Sequence, residues 1–77
     1  MNTDHATAEH FQRWECHAKT LDSYSLRYIV DDCHRAAEAM RGWNPAREGF
    51  YLDQASAYGM ELTRRNRDLP AGLRVRL

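Results

Sequence analysis

The chain has 77 residues, 43% of them hydrophobic and 29% charged, with 11 basic side chains against 11 acidic ones. That length sets one domain at most, with a core thin enough that self-association or a partner is a natural source of added stability. The balanced charge excludes an acidic DNA mimic or a histone-like condenser as a description of the whole molecule. No apolar run is longer than triplets such as Tyr28-Ile29-Val30, which leaves no membrane span and no apolar core of a secretory signal.

Residues 1–6 are polar and expected to fray. The first helix is predicted from about Ala8 to Ala18, with Thr7 as its N-cap and Ala8, Phe11, Trp14 or Glu15, and Ala18 recurring near the helical period. Thr20-Leu21-Asp22-Ser23 reads as a turn whose Asp22 or Ser23 caps the next helix. That second helix carries a clear apolar stripe of Leu26, Ile29, Val30, Cys33, Ala36, Ala37 and Met40, opposite a face with Arg27, Asp31, Arg35, Glu38 and Arg41. Gly42 stands where a helix ends in the left-handed conformation.

Asn44-Pro45 then restarts the chain as an N-cap followed by proline at the first helical position. The third helix is predicted from Pro45 to about Arg67, burying Tyr51 or Leu52, Ala55, Tyr58 and Leu62. Gly49 and Gly59 inside it each cost about 1 kcal/mol relative to alanine. The expected reasons are a fray point at Gly49 and the close approach of another helix. The short connection at Gly42 to Asn44 makes the second and third helices an antiparallel hairpin, with the first helix packing across the groove between them. Asp68-Leu69-Pro70-Ala71-Gly72 breaks the last helix, and Leu73-Arg74-Val75-Arg76-Leu77 alternates with period two. Having no strand in the chain to pair with, that segment is expected to be a disordered tail, a strap over the helices, or a strand paired with another chain. The expected fold is therefore all-α: a three-helix mini-domain over residues 1–68 with an extended basic tail at residues 69–77.

Few residues carry chemistry. Two cysteines, Cys16 and Cys33, are too sparse for a secreted disulfide framework and are expected as reduced, partly buried thiols in a cytoplasmic protein. His5, His10, His17, His34 and the two cysteines include no pair at the i,i+3 or i,i+4 spacing of a helical metal site. Cys16-His17 and Cys33-His34 are adjacent, so on a helix their side chains diverge by about 100°. With no nucleophile elbow, phosphate loop or dinucleotide fingerprint, neither a metal, a cofactor nor catalysis is expected.

Charge is distributed unevenly. Residues 1–62 carry a balance of −4 and residues 63–77 a balance of +4. Arg64, Arg65, Arg67, Arg74 and Arg76 are thus candidates for contact with phosphate or an acidic protein surface, or, for the first three, partners of the helix dipole. Among the aromatics, Trp43 in the interhelical turn and Phe50 on the polar side of the third helix fall outside the core stripes. Exposed aromatics of this kind anchor protein interfaces, although Trp43 could equally fold back as a plug on the hairpin end.

Leu26-Arg27-Tyr28-Ile29-Val30 with Asp32-Cys33, then Asn44-Pro45, Glu48-Gly49-Phe50-Tyr51 with Asp53, and Tyr58-Gly59-Met60-Glu61-Leu62 with Arg64-Arg65 form a pattern spanning about half the chain. It resembles a group of short helical-hairpin proteins encoded by phages and prophages. Size and arginine-rich composition are also similar to those of anti-CRISPR proteins from phages of GC-rich bacteria, including those that act on type I Cascade complexes. The resemblance implies a non-catalytic inhibitor in the host cytoplasm that docks on a protein subunit of a defence complex and occludes target-DNA binding. The alternatives are a nucleic-acid-associated accessory protein using the arginine-rich end, or a small assembly protein whose tail pairs with a neighbour. A homodimer fits the thin core as readily as a monomer.

Overall fold

The computed structural model describes residues 5–75 and builds them into α1 (Ala8–Thr20), α2 (Ser23–Met40) and α3 (Pro45–Arg67), followed by a single 3-10 turn at Ala71–Leu73. The protein is all-α, with no strand among the described residues. Each helix begins at a side chain able to satisfy its orphan N–H groups. Thr7 and His10 form a reciprocal box: the His10 N–H donates to Thr7 Oγ1 (3.4 Å), and the Thr7 N–H donates to His10 Nδ1 (3.0 Å). Asp22 accepts from the Ser25 N–H at 2.7 Å, a bond that holds its carboxyl below the usual range. Asn44 accepts from the Arg47 N–H at 3.1 Å, with Pro45 opening the helix.

The turn between α2 and α3 hinges on Gly42, whose φ of +88° lies in the left-handed region. A Cβ there would have open space around it, so the obstacle to substitution is backbone conformation alone. Gly42→Ala is expected to cost about 1 kcal/mol, read as a fall of about 5 °C in Tm.

Helix α3 is the spine. It packs along α2 and, less extensively, against α1. The order of contacts gives the direction of α1: His10 and Trp14 meet Phe50, His17 meets Tyr58, and the carbonyls of Ala18 and Leu21 meet Arg65. Helix α1 therefore runs parallel to α3, in an up-down-up arrangement. Instead of sharing its face evenly between the two helices of the hairpin, α1 lies mainly against α3 and meets α2 at Leu26. An aromatic seam of Phe11, Trp14 and Phe50 seats α1 on α3, and α2 joins it mainly through Leu26.

This leaves the molecule elongated, 47 × 24 × 16 Å with a radius of gyration of 13.8 Å. A compact domain of this length would have a radius of about 11.5 Å. The core cluster is Trp14, Ala18, Leu26, Ala57 and Tyr58, flanked by half-buried Phe11, Ile29, Val30 and Leu62. The predicted stripe on α2 holds, with Leu26, Cys33 and Ala37 buried. Of the alternatives on α3, Tyr51 is half-buried while Leu52 faces solvent. Ala8 is exposed, and so is Cys16, which corrects the expectation of two partly buried thiols.

Candidate functional site

The hairpin tip follows from the end of α2. Helix termini leave carbonyls without partners, and here Trp43 supplies one: its indole Nε1–H donates to the Ala39 carbonyl at 2.8 Å. Its backbone N–H donates to Met40 at 3.2 Å. The ring is turned back and pinned, yet it is 73% exposed. Both sequence readings of this residue are partly realised. Trp43 folds back onto the helix end, and it still offers its ring to solvent.

Phe50 does not share that position. It is half-buried rather than exposed, because α1 covers the side of α3 that a two-helix hairpin would leave to water. Its ring meets Trp14 edge-on at 5.3 Å and His10 at 5.1 Å, and the Arg47 guanidinium lies over it at 4.7 Å. Trp43 belongs to the tip and Phe50 to the α1–α3 seam.

The basic end of α3 is largely committed within the fold. Arg65, 25% exposed, reaches the notch where α1 ends and α2 begins. Its Nη2 donates to the carbonyls of Leu21 (2.6 Å) and Ala18 (3.2 Å), its Nη1 to Ser23 Oγ (3.2 Å), and its Nε to the Glu61 carboxylate (2.8 Å). Arg64 pairs with the same carboxylate through Nε at 3.1 Å and with Asp68 at 2.9 Å. Glu61, a buried charge that the sequence reading did not single out, is thus clasped by two guanidiniums. Hydrogen bonding from Arg64 first, and from Arg65 as well, lowers its carboxyl from 4.5 to about 2, against the opposing effect of burial. A glutamate three and four residues before two arginines was the signal available in the sequence.

Arg67 is exposed and lines the groove between α1 and α3. The Arg74 Nε donates to the Leu69 carbonyl at 2.9 Å, and Arg76 lies outside the described residues. The segment after α3 takes the strap form: Val75 N–H donates to Asn66 Oδ1 (2.7 Å) and Asn66 Nδ2 donates back to the Val75 carbonyl (2.5 Å). The expected extended tail is corrected at Ala71–Leu73, where the 3-10 turn takes in Leu73, the first residue of the period-two pattern, and Asn66 holds Val75 alone.

No family model matches the chain, and no curated protein or solved structure is significantly similar to it.

His17 Nδ1 and the Tyr58 hydroxyl share a hydrogen bond of 2.8 Å, and burial pushes the Tyr58 phenol up. The Cys33 thiol is also pushed up, by burial and then by Asp32, which disfavours the thiolate a nucleophile requires. Among the described residues no group of three or more His, Cys, Asp or Glu could hold a metal ion. None of the helices among them is long and apolar enough to cross a membrane.

Proposed function

We propose that the protein is a non-catalytic protein-binding module whose leading contact is the Trp43 tip of the α2–α3 hairpin. The observation that carries this reading is an indole ring held in one orientation by its own N–H bond while three quarters of it remains open to solvent. A pre-oriented tryptophan loses little conformational freedom on docking, and tryptophan is prominent among the residues that dominate binding energy. The resemblance to phage-encoded hairpin proteins directs the partner to a host defence complex, with a type I Cascade subunit as the candidate and occlusion of target DNA as the mechanism.

Two observations weigh against the alternatives. Arg64 and Arg65 spend their donors on Glu61, Asp68 and the α1–α2 turn, which leaves fewer cations for phosphate than the sequence promised. Both backbone hydrogen-bonding groups of Val75 are already occupied by Asn66, which disfavours strand pairing with a neighbour.

The test is affinity capture from host lysate with nuclease present, followed by measured binding to the recovered complex. Trp43→Ala is expected to weaken that binding by about 2 kcal/mol, roughly thirtyfold, with the melting temperature almost unchanged. Binding should persist in moderate salt, whereas a nucleic-acid contact would weaken steeply. Capture that nuclease abolishes, or a Trp43→Ala variant that binds like the parent, would remove this reading.

A further inference from the structure

Two grooves flank the outer face of α3. One, about 600 Å³, lies between α2 and α3 and is lined by Val30, Ala55, Gly59 and Leu62 among others; the other, about 210 Å³, lies between α1 and α3. Met60 lines both and is 66% exposed on the ridge between them. A Cβ at Gly59 would meet nothing within 4 Å, so the close helix expected beside this glycine is not supplied by the chain itself. Asp53, Ser56, Met60, Thr63 and Arg67 are all exposed and follow one another in alternating steps of three and four residues, the spacing of a helix–helix seam.

We propose that this face joins two copies of the chain in an antiparallel, twofold-symmetric α3–α3 contact centred on Met60. The order of charges carries the proposal. Asp53 and Arg67 each lie seven residues from Met60, on opposite sides of it. A twofold axis at Met60 therefore sets Asp53 of each copy against Arg67 of the other.

A parallel contact would instead oppose Asp53 to Asp53 and Arg67 to Arg67, at a cost in like-charge repulsion. A surface whose charge order is its own complement is what an isologous interface requires, so the occupant is a second copy rather than an unrelated helix. The room beside Gly59 accommodates the thioether of the facing Met60. This surface is distinct from the Trp43 tip, and the antiparallel arrangement directs the two tips to opposite ends of the assembly.

Sedimentation velocity on the full chain, from about 5 to about 200 µM, tests the contact at the range suited to a small interface. The weight-average mass is expected to rise from monomer to dimer across that range. Met60→Asp should raise the dimer dissociation constant at least about tenfold, and Asp53→Arg or Arg67→Asp alone by about tenfold. Asp53→Arg combined with Arg67→Asp should return to within about threefold of the parent, because the pair is restored with its signs exchanged. Helical circular dichroism and Tm confirm that each variant is folded. A parent that stays monomeric throughout, or a double variant no better than the single ones, overturns the proposal.

Discussion

Leu26→Ala is expected to lower the unfolding free energy by about 3 kcal/mol. Leu26 is 0% exposed and is the one large side chain fully buried among the described residues. It sits where all three helices meet, against Trp14 and Ala18 of α1 and Ala57 and Tyr58 of α3. Those neighbours cannot close a cavity easily. The alanines have nothing to extend, Trp14 is fixed by ring contacts with His10, Phe11 and Phe50, and Tyr58 is tied to His17. Much of the void left by three lost carbons would therefore persist, and its walls would lose their dispersion contacts. A chain of this length has a total stability of only about 4–11 kcal/mol. The expected readout is a urea midpoint about 2–3 M lower with an unchanged slope. Leu26→Met, which conserves volume, should cost less than about 1.5 kcal/mol. A loss under about 1 kcal/mol for Leu26→Ala would mean that the three helices do not share this junction.

The local devices of the fold are legible from the sequence because each is written within a few residues. Thr7, Asp22 and Asn44 cap as their side chains dictate, Gly42 takes the left-handed turn, and the α2 stripe repeats with the helical period. What is not legible is which helix faces which. An amphipathic α1 announces that it buries a face, and nothing in its period distinguishes a seat mainly on α3 from an even share of the α2–α3 groove. Phe50 shows the consequence. Helix α3 has two partners and so two buried arcs, one reaching Phe50 and Ala57 on the α1 side, the other Ala55 and Leu62 beside α2. A wheel drawn for one partner assigns the first arc to solvent.

The arginines were misleading for a related reason. A cluster of charges in a last helical turn reads as open surface, since the acceptors of Arg65 at Ala18, Leu21 and Ser23 lie more than 40 residues away in sequence. Trp43 was legible in kind but not in state, because exposure and attachment are compatible once the N–H rather than the ring face makes the bond.

Replacing Arg65 should rival the loss of Leu26, since one guanidinium ties the end of α1, the start of α2 and the last turns of α3 together. The C-terminal carbonyls of a helix need donors, and the negative end of its dipole favours a cation; Arg65 meets both needs for α1. Arg65→Ala is expected to cost about 3 kcal/mol, because Glu61 then keeps its charge at a buried position with half its clasp removed. Arg65→Lys should recover no more than about half of that loss, since an ammonium cannot present the planar fork that reaches Ser23, two carbonyls and a carboxylate together.

The carboxylate gives an independent reading of the same network. Its value of about 2 in the folded chain lies below the ordinary 4.5, so its contribution is complete at neutral pH and is lost as pH falls from about 4.5 towards 2. Denaturation midpoints of the parent should therefore drop across that window. Glu61→Gln, which cannot titrate, should be less stable than the parent at pH 7 and should show a shallower decline through the acid range. In Arg65→Ala the decline should be shallower too, as Arg64 alone remains to hold the carboxyl down. Equal acid sensitivity in all three proteins would show that the fold does not depend on this clasp.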